Sequence, residues 1–339
     1  MSGRDDAITG FLDNAGWGGA RRSLLAGDAS NRRYERLWLA DQPAVLMDAP
    51  PDKGEDIRPF VRIGRHLSNA GLSPPKVFAE DAAQGFLLLE DLGDNLFSNV
   101  VESDPDAEKR LYLAATDALL ALHDAPLPDA PDYGPGPMST LATLSIDWFA
   151  FGASGAHDPE GTKALEAAMK DAFDALAPWQ PVLVLRDYHA ENLLWLPDRV
   201  APANVGLLDF QDAGIGHPAY DLMSLARDAR RDVSDATRSA MIAHFAQATG
   251  KTTADLEQAC ATVSAQRNLR ILGVFARLSL HFGKPHYVDL IPRVWRNLSA
   301  DLAHPSLAAL GHVVARTLPD PTPEILRTLK AKCATVPTL

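Results

Sequence analysis

The chain has 339 residues, of which 46% are hydrophobic, and this is enough for two average domains with buried cores. Such a composition excludes disordered and fibrous architectures. The chain has 44 Asp and Glu residues and 32 Lys and Arg residues. Its formal net charge of −12 repels phosphate backbones and anionic membrane surfaces. We therefore expect no nucleic-acid partner and no membrane association.

Two further features predict a cytoplasmic protein. The only cysteines, Cys260 and Cys333, share no short metal-ligand spacing, which is typical of a reduced compartment. The first six residues turn acidic where a secretory signal would turn apolar, and the longest apolar runs are only as long as a strand.

In chain order, the first ninety or so residues predict one helix followed by several short strands. Apolar residues recur at helical spacing at Ile8, Phe11, Leu12 and Ala15. Strands bounded by Gly, Asp and Pro are expected at residues 24–25, 34–39, 44–47, 77–79 and 86–89. A second helix is predicted between Glu55 and Ala70.

Beyond the acidic segment 90–94, the periodicity is almost entirely helical. Helices are expected at residues 107–122, 160–176, 220–230, 237–248, 255–280 and 288–302. Five prolines between Asp124 and Met138 predict a loop of little regular structure. We therefore expect an α+β protein with a small sheet-rich lobe over 1–92 and a larger helical lobe over 93–339, an organisation suited to binding a ligand between lobes.

Two apolar, strand-like runs each end in a polar loop. The first run is followed by Asp187 and, five residues on, by Asn192, and the second run is followed by Asp209. Phosphoryl transfer from magnesium ATP needs one carboxylate to deprotonate the acceptor hydroxyl, and a carboxylate with an amide oxygen to hold the metal. The spacing of Asp187 and Asn192 is weak by itself, and Asp187 taken singly is typical of a turn or cap. The second run, ending in Asp-Phe, strengthens the prediction.

These loops resemble those of the aminoglycoside phosphotransferase-like kinases, which are small-molecule relatives of the protein kinases. The matching stretches are the catalytic loop 185–192, the metal-binding loop 208–212, a downstream signature at 216–222 and a hinge at 88–93. Within the family, the chain is most similar to the bacterial anomeric kinases that phosphorylate N-acetylmuramate and N-acetylglucosamine at C1 during cell-wall recycling. That closer resemblance depends on residues 26–34, 47–51 and 266–278.

The resemblance implies a two-lobed protein-kinase-like fold, with an antiparallel sheet in the first lobe. It implies ATP and Mg2+ as cofactors and an amino sugar as substrate. Asp187 would then be the catalytic base, and Asn192 and Asp209 would be the magnesium ligands. The backbone from Glu90 to Leu92 would read the adenine edge.

Two positions depart from the kinase pattern. Leu185 stands two residues before the predicted base, where the family often has a His or Tyr, and this change costs only a contact that braces the loop. The second departure is more serious. Met47 stands where kinases usually carry the lysine that pairs with the α- and β-phosphates, and a neutral thioether cannot replace that charge. Arg32 and Arg33 follow the expected phosphate loop, in which the Ser30 hydroxyl would cover the nucleotide. Because successive strand residues face opposite sides, only one arginine can face the nucleotide, and we favour Arg33. Solvated surface charge is the alternative for both arginines. Glu55 is a candidate for the helix glutamate that pairs with the usual lysine, but without that lysine we favour a dipole partner in the first turn of the helix.

The substrate pocket is expected in the helical lobe. Asp147, beside two aromatic residues, suits a sugar, although aromatic residues at this density are more often core. Arg270 and Arg277 lie seven residues apart, near one face of a long helix, and form a positive stripe for a lactyl carboxylate or a phosphate. A structural ion pair is an equally weighted alternative. His189 and Glu191 flank the predicted base and either touch the substrate or brace the loop.

Three functions are compatible with these residues. The first is an ATP- and magnesium-dependent kinase for the anomeric hydroxyl of an N-acetylated amino sugar. The second keeps the fold and takes an aminoglycoside or another small hydroxylated metabolite, although the arginine stripe disfavours polycations. The third is a catalytically silent nucleotide-binding pseudokinase, which Met47 favours and the retained Asp187, Asn192 and Asp209 disfavour.

Overall fold

The computed structural model describes residues 3–27 and 31–337. The helices α1 to α13 are Gly3–Asn14, Arg58–Asn69, Phe97–Ser103, Glu108–His123, Pro135–Ala142, Phe151–Ser154, Pro159–Asp174, Ala219–Ala226, Asp235–Thr249, Thr253–Leu280, Ile291–Leu302, Ala308–Thr317 and Pro323–Ala331. The strands β1 to β9 are Arg21–Gly27, Arg33–Leu39, Gln42–Asp48, Val77–Asp81, Phe86–Glu90, Val182–Val184, Leu193–Trp195, Val205–Leu207 and Gly214–Gly216. A π-helix, Ser145–Ala150, lies between α5 and α6.

The chain forms two compact units. The first contains Met1–Ala107 together with Ala190–Ala213, and the second contains Glu108–His189 together with Gly214–Leu339. The segment between the two parts of the second unit therefore groups with the N-terminal residues. The lobe boundary expected at residue 92 stays a prediction.

The first unit is built on a five-stranded antiparallel sheet in the order β1-β2-β3-β5-β4. Helix α1 packs on one face of this sheet. Alternate residues of a strand point to the same side, so the apolar residues at alternate positions of β2, β3 and β5 form one surface for the helix. The buried cluster between them consists of Ile8, Phe11, Leu12, Leu37, Ala44, Leu46, Phe86 and Leu88. The α+β fold class predicted from the sequence is confirmed.

A short hairpin of β7 and β8 belongs to the same unit. Its strands pair in antiparallel register, with Leu193 opposite Leu207. The backbone N–H of Leu207 donates to the carbonyl of Ser73 at 3.0 Å, and that of Trp195 donates to Asn95 at 2.8 Å. These bonds attach the hairpin to two segments that precede it by a hundred residues or more in the chain.

The second unit is mostly helical and surrounds α10, which spans 28 residues and is buried along most of its length. At Gly273 in α10, an added Cβ would lie 2.2 Å from the backbone carbonyl of Leu144, so only glycine permits this approach. Helix α5 begins at Pro135, inside the loop predicted from prolines, because a proline at the first helical position loses no hydrogen bond. Within residues 3–27 and 31–337, no helix is long and apolar enough to cross a membrane.

The pairing of β6 with β9 leads directly into the loop that carries Asp187. In that loop Arg186 has a φ of 72°, a left-handed conformation that costs a non-glycine residue about 1 kcal/mol or more. Asp221, fully buried in α8, accepts the backbone N–H of Leu185 at 2.6 Å and that of Arg186 at 2.9 Å. A buried carboxylate therefore holds the strained backbone immediately before Asp187.

We predict that Gly273→Ala destabilises the protein by about 1–3 kcal/mol, because the new methyl group meets the Leu144 backbone, which cannot rotate away. Gly311→Ala in α12 is the matched control, since its Cβ would have only ordinary contacts. The control substitution is expected to stabilise the protein by about 0.4–1 kcal/mol. Urea unfolding of the three proteins measures both changes, and equal stability of the two variants would contradict the close approach.

A second prediction concerns pH. Burial raises the pKa of Asp221 to about 7, although the two backbone hydrogen bonds lower it. In the unfolded chain an aspartate has a pKa of about 3.9, so the folded protein binds this proton more tightly. The contribution to stability is therefore complete below about pH 4 and is lost as the pH rises through 7.

The Asp221→Asn variant does not titrate at this position. We expect the free energy of unfolding of the wild type, minus that of the variant, to fall between pH 4.5 and 7.5 by at most about 1.4 kcal/mol per pH unit. Guanidinium titrations at four pH values measure this difference. The exposed Asp41→Asn is the control, and a difference for Asp221→Asn that does not change with pH would refute the prediction.

Candidate active site

The first unit brings the two predicted metal ligands together. Asn192 immediately precedes β7, and Asp209 follows β8 after one residue. The backbone N–H of Leu208 donates to the carbonyl of Asn192 at 2.9 Å, so the pairing of the hairpin continues to these positions. In an antiparallel pair the start of one strand lies beside the end of the other. Both residues therefore lie at the same end of the hairpin.

The Asp209 loop is held in an unusual conformation. Asp209 has a φ of 54°, in the left-handed region, and its Oδ1 accepts a hydrogen bond from the Gln211 side chain at 2.7 Å. The next residue, Phe210, stacks on Phe60 of α2, with ring centroids 4.6 Å apart. Stacking in the core and a side-chain bond thus fix the direction of a partly buried carboxylate.

This pair of donors fits a magnesium ion. An amide oxygen and a carboxylate oxygen are hard ligands, and magnesium is usually bound in proteins through one or two carboxylates, with substrate phosphates and water completing the shell. Asn192 and Asp209 offer that number and type of donor at one end of a single hairpin.

Arg32 adds a positive charge at the same place. Its Nε donates to Glu55 at 2.8 Å, and its Nη1 lies 3.9 Å from Oδ1 of Asp209. Its side chain is 13% exposed, whereas that of Arg33 is 50% exposed and pairs with Glu35 at 2.5 Å. The sequence favours Arg33 as the phosphate-facing cation, and that role stays a prediction. Of the two arginines, Arg32 is the one that lies beside Asp209.

Glu55 also has a different position from the one expected. It precedes the start of α2 and is not a dipole partner in the first turn of the helix. Its carboxylate accepts the Arg32 side chain and also the backbone N–H of Asn31, the latter at 3.1 Å. Glu55 therefore anchors the chain that leaves the predicted phosphate loop. Ser30, predicted to cover the nucleotide, lies outside the described residues.

Met47 occupies a core position in β3. It is 1% exposed and lies between Tyr34 of β2 and Leu87 of β5 in the sheet register. An apolar side chain is suited to this position. The absence of a lysine here thus coincides with a positive charge supplied from the segment before β2.

The predicted hinge runs beside the hairpin. Glu90, at the end of β5, accepts the Arg199 side chain at 2.7 Å and the backbone N–H of Lys76 at 3.3 Å. Leu92 packs against β8, where an added Cβ on Gly206 would lie 3.1 Å from its Cδ1. The side chain of Glu90 already binds Arg199 and the backbone of Lys76. Its backbone is therefore the part that the prediction places against the adenine edge.

In the second unit, Asp187 lies beside a group of tyrosines and arginines. The guanidinium of Arg186 stacks over Tyr133 at 4.6 Å, and the hydroxyls of Tyr133 and Tyr220 share a hydrogen bond of 3.1 Å. Burial lowers the pKa of Arg270, but Tyr220, Tyr133 and Asp187 together raise it well above its ordinary value. Arg270 therefore lies close enough to Asp187 for their charges to interact.

The remaining predicted substrate residues take separate positions. His189 is 4% exposed, and its Nε2 lies 3.2 Å from Nη1 of Arg230. Burial and the charges of nearby arginines lower the pKa of His189 well below its ordinary value, so its ring is neutral. Glu191 is exposed and belongs to the first unit. Asp147, in the π-helix, accepts two threonine hydroxyls at 3.4 Å, and burial raises its pKa.

Comparison with known proteins places this chain among phosphotransferases. Residues 22–258 match the model of the phosphotransferase enzyme family. An N-acetylmuramate/N-acetylglucosamine kinase of Caulobacter vibrioides is 40% identical, over 91% of this chain and 95% of that protein. A kinase of the same description from Pseudomonas aeruginosa is 34% identical, over 92% of this chain and 94% of that protein.

Solved structures share the fold at low identity. Choline kinase LicA from Streptococcus pneumoniae has a TM-score of 0.63 at 14% identity, covering 88% of this chain and 100% of that chain. A choline/ethanolamine kinase family protein from Mesorhizobium loti has a TM-score of 0.60 at 15% identity, covering 97% and 99%. The family match and the two relatives aligned over almost their whole length show that this chain belongs to the phosphotransferase enzyme family.

Proposed function

We propose that this protein is a sugar kinase that transfers a phosphoryl group from ATP to the anomeric hydroxyl of N-acetylmuramate and N-acetylglucosamine. The observation that carries the proposal is the 40% identity to a kinase with that description, over 91% of this chain and 95% of the relative. Each polar residue that phosphoryl transfer requires is retained, and the arrangement within each unit supports its role.

Asp187 accepts the proton of the attacking hydroxyl. Its backbone follows the strained Arg186, which Asp221 holds in place through two hydrogen bonds to the main chain. A positioned base contributes about a hundred- to ten-thousandfold to a rate. An anomeric hydroxyl is more acidic than an ordinary alcohol, so a carboxylate is a sufficient base for this step.

Asn192 and Asp209 hold the metal. A bound magnesium ion supplies charge neutralisation on the phosphates during transfer. Arg32, fixed by Glu55 and 3.9 Å from Asp209, adds a permanent positive charge at the same end of the hairpin. Arg32 therefore takes the role that a lysine at position 47 would have had.

The direct test is the reaction of the purified protein with ATP, magnesium and each sugar in turn. We expect phosphorus and proton NMR spectra of both products to place the phosphate on C1. Asp187→Asn is expected to lower kcat by about a hundred- to ten-thousandfold, because the proton acceptor is lost. The exposed Asp198→Asn is the control. No ATP turnover with either sugar, or an undiminished rate in Asp187→Asn, would refute the assignment.

The neighbouring arginines provide a matched comparison for the phosphate contact. We expect Arg32→Gln to lower kcat/KM for ATP by about a hundredfold, as loss of a fixed donor to a developing charge does. Arg33→Gln, the same change one residue later on an exposed side chain, is expected to stay within about twofold of the wild type. Initial rates against ATP concentration at saturating sugar decide between them, and the reverse order would return the role to Arg33.

A further inference from the structure

Helix α10 carries three residues on one face. Arg270, Gly273 and Arg277 follow at spacings of three and four, which brings side chains to the same side of a helix. The chain at Leu144 approaches this face at Gly273 and leads directly into the π-helix that contains Asp147. The two arginines therefore flank the point at which that segment meets α10.

Arg277 has no partner within residues 3–27 and 31–337. Its Nε is buried and has no hydrogen-bond acceptor, and its guanidinium forms no ion pair with any described carboxylate. Burial lowers the pKa of Arg277, and the positive charge of Arg270 lowers it further. An arginine that is partly buried beside another cation is unfavourable without an anion.

A shortage of carboxylates does not explain this environment. The chain has 44 Asp and Glu residues against 32 Lys and Arg. Other partly buried arginines, such as Arg32 and Arg36, each have a carboxylate within 2.8 Å. In the part of the chain that the structure describes, Arg277 has no such carboxylate although the protein is acidic, and an anion from outside the chain would balance its charge.

The other two arginines of α10 are already engaged. Arg267 donates to the carbonyl of Arg227 at 3.3 Å, and its charge lowers the pKa of the buried Asp228, although burial raises it more. Arg270 interacts with Tyr220 and with the charge of Asp187. The Nε of Arg267 is also without an acceptor, but of the three arginines only Arg277 has neither a side-chain hydrogen bond nor an attractive charge among the described residues.

We propose that Arg277 binds the carboxylate of N-acetylmuramate and so favours the acidic sugar over the neutral one. This inference rests on the proposed function. The two sugars differ in one group, the lactyl ether with its carboxylate, which N-acetylglucosamine lacks. A guanidinium recognises a carboxylate through two parallel N–H donors, which gives both charge and direction. Arg270 interacts with the charge of Asp187 and lies on the same face of α10 as Arg277, and we place the bound sugar along this face.

The experiment compares the two sugars as substrates of the wild type, Arg277→Gln and Arg277→Lys. For Arg277→Gln we expect kcat/KM for N-acetylmuramate to fall about ten- to a hundredfold, mainly through KM, as for a lost hydrogen bond to a charged group. With N-acetylglucosamine the change is expected to stay within about threefold. Arg277→Lys keeps the charge but loses the paired donors, so an intermediate loss on the acidic sugar is expected.

Two controls separate a substrate contact from a general defect. Activity of each variant on the neutral sugar reports whether the site still folds. Arg316→Gln, on the exposed side of α12, changes the same residue type far along the chain and is expected to leave both sugars unaffected. The wild type is also tested with the carboxamide of N-acetylmuramate, which is expected to lose about as much as Arg277→Gln does with the acid.

Each result has a distinct meaning. A loss confined to the acidic sugar supports the assignment of Arg277. An equal loss on both sugars, or no loss on either, would overturn that assignment and leave the sugar kinase function standing. A wild type that phosphorylates neither sugar removes the proposed function, and the assignment of Arg277 falls with it.

Discussion

The two hydrogen bonds that the carboxylate of Asp221 accepts determine where the predicted base can lie. They join helix α8 to the residues that follow β6, and they satisfy the N–H groups of Leu185 and Arg186, which would otherwise be buried without partners. The left-handed conformation of Arg186 persists because these bonds overdetermine it. Burying a carboxylate costs free energy. The chain nevertheless buries Asp221 next to the loop that carries Asp187.

In the first unit, a second carboxylate has a comparable role. Glu55 binds both the main chain of Asn31 and the side chain of Arg32, so one residue orients a loop and a cation together. Because Arg32 lies in the segment before β2, position 47 of β3 needs no charged residue and holds the buried Met47. In the proposed function, the phosphate-facing charge therefore comes from the segment before β2, whereas the core side chain at position 47 comes from β3.

Local patterns were sufficient to predict most of the fold. The strands of the first unit and the helices of the second follow periods of two and 3.6 residues, and the polar loops at Asp187 and Asp209 follow apolar runs that are visible in the sequence. The different surroundings of Arg32 and Arg33 were not predictable from the sequence. They depend on the ion pair of Arg32 with Glu55, more than twenty residues away, and on the ion pair of Arg33 with Glu35. Spacing along one helix suggested Arg277 as a substrate contact, but only the packing around it shows that its Nε has no partner.

The division of the first unit into two stretches of chain has a consequence for synthesis. Residues Ala190–Ala213 complete this unit, yet the ribosome makes them only after the whole of Glu108–His189. Domains usually form in the order in which they emerge, and contacts between distant residues are slow to form. The first unit is therefore expected to lack its hairpin while helices of the second unit are already being made. Nascent chains of fewer than 209 residues lack Asp209 and cannot assemble the predicted metal-binding end of the hairpin.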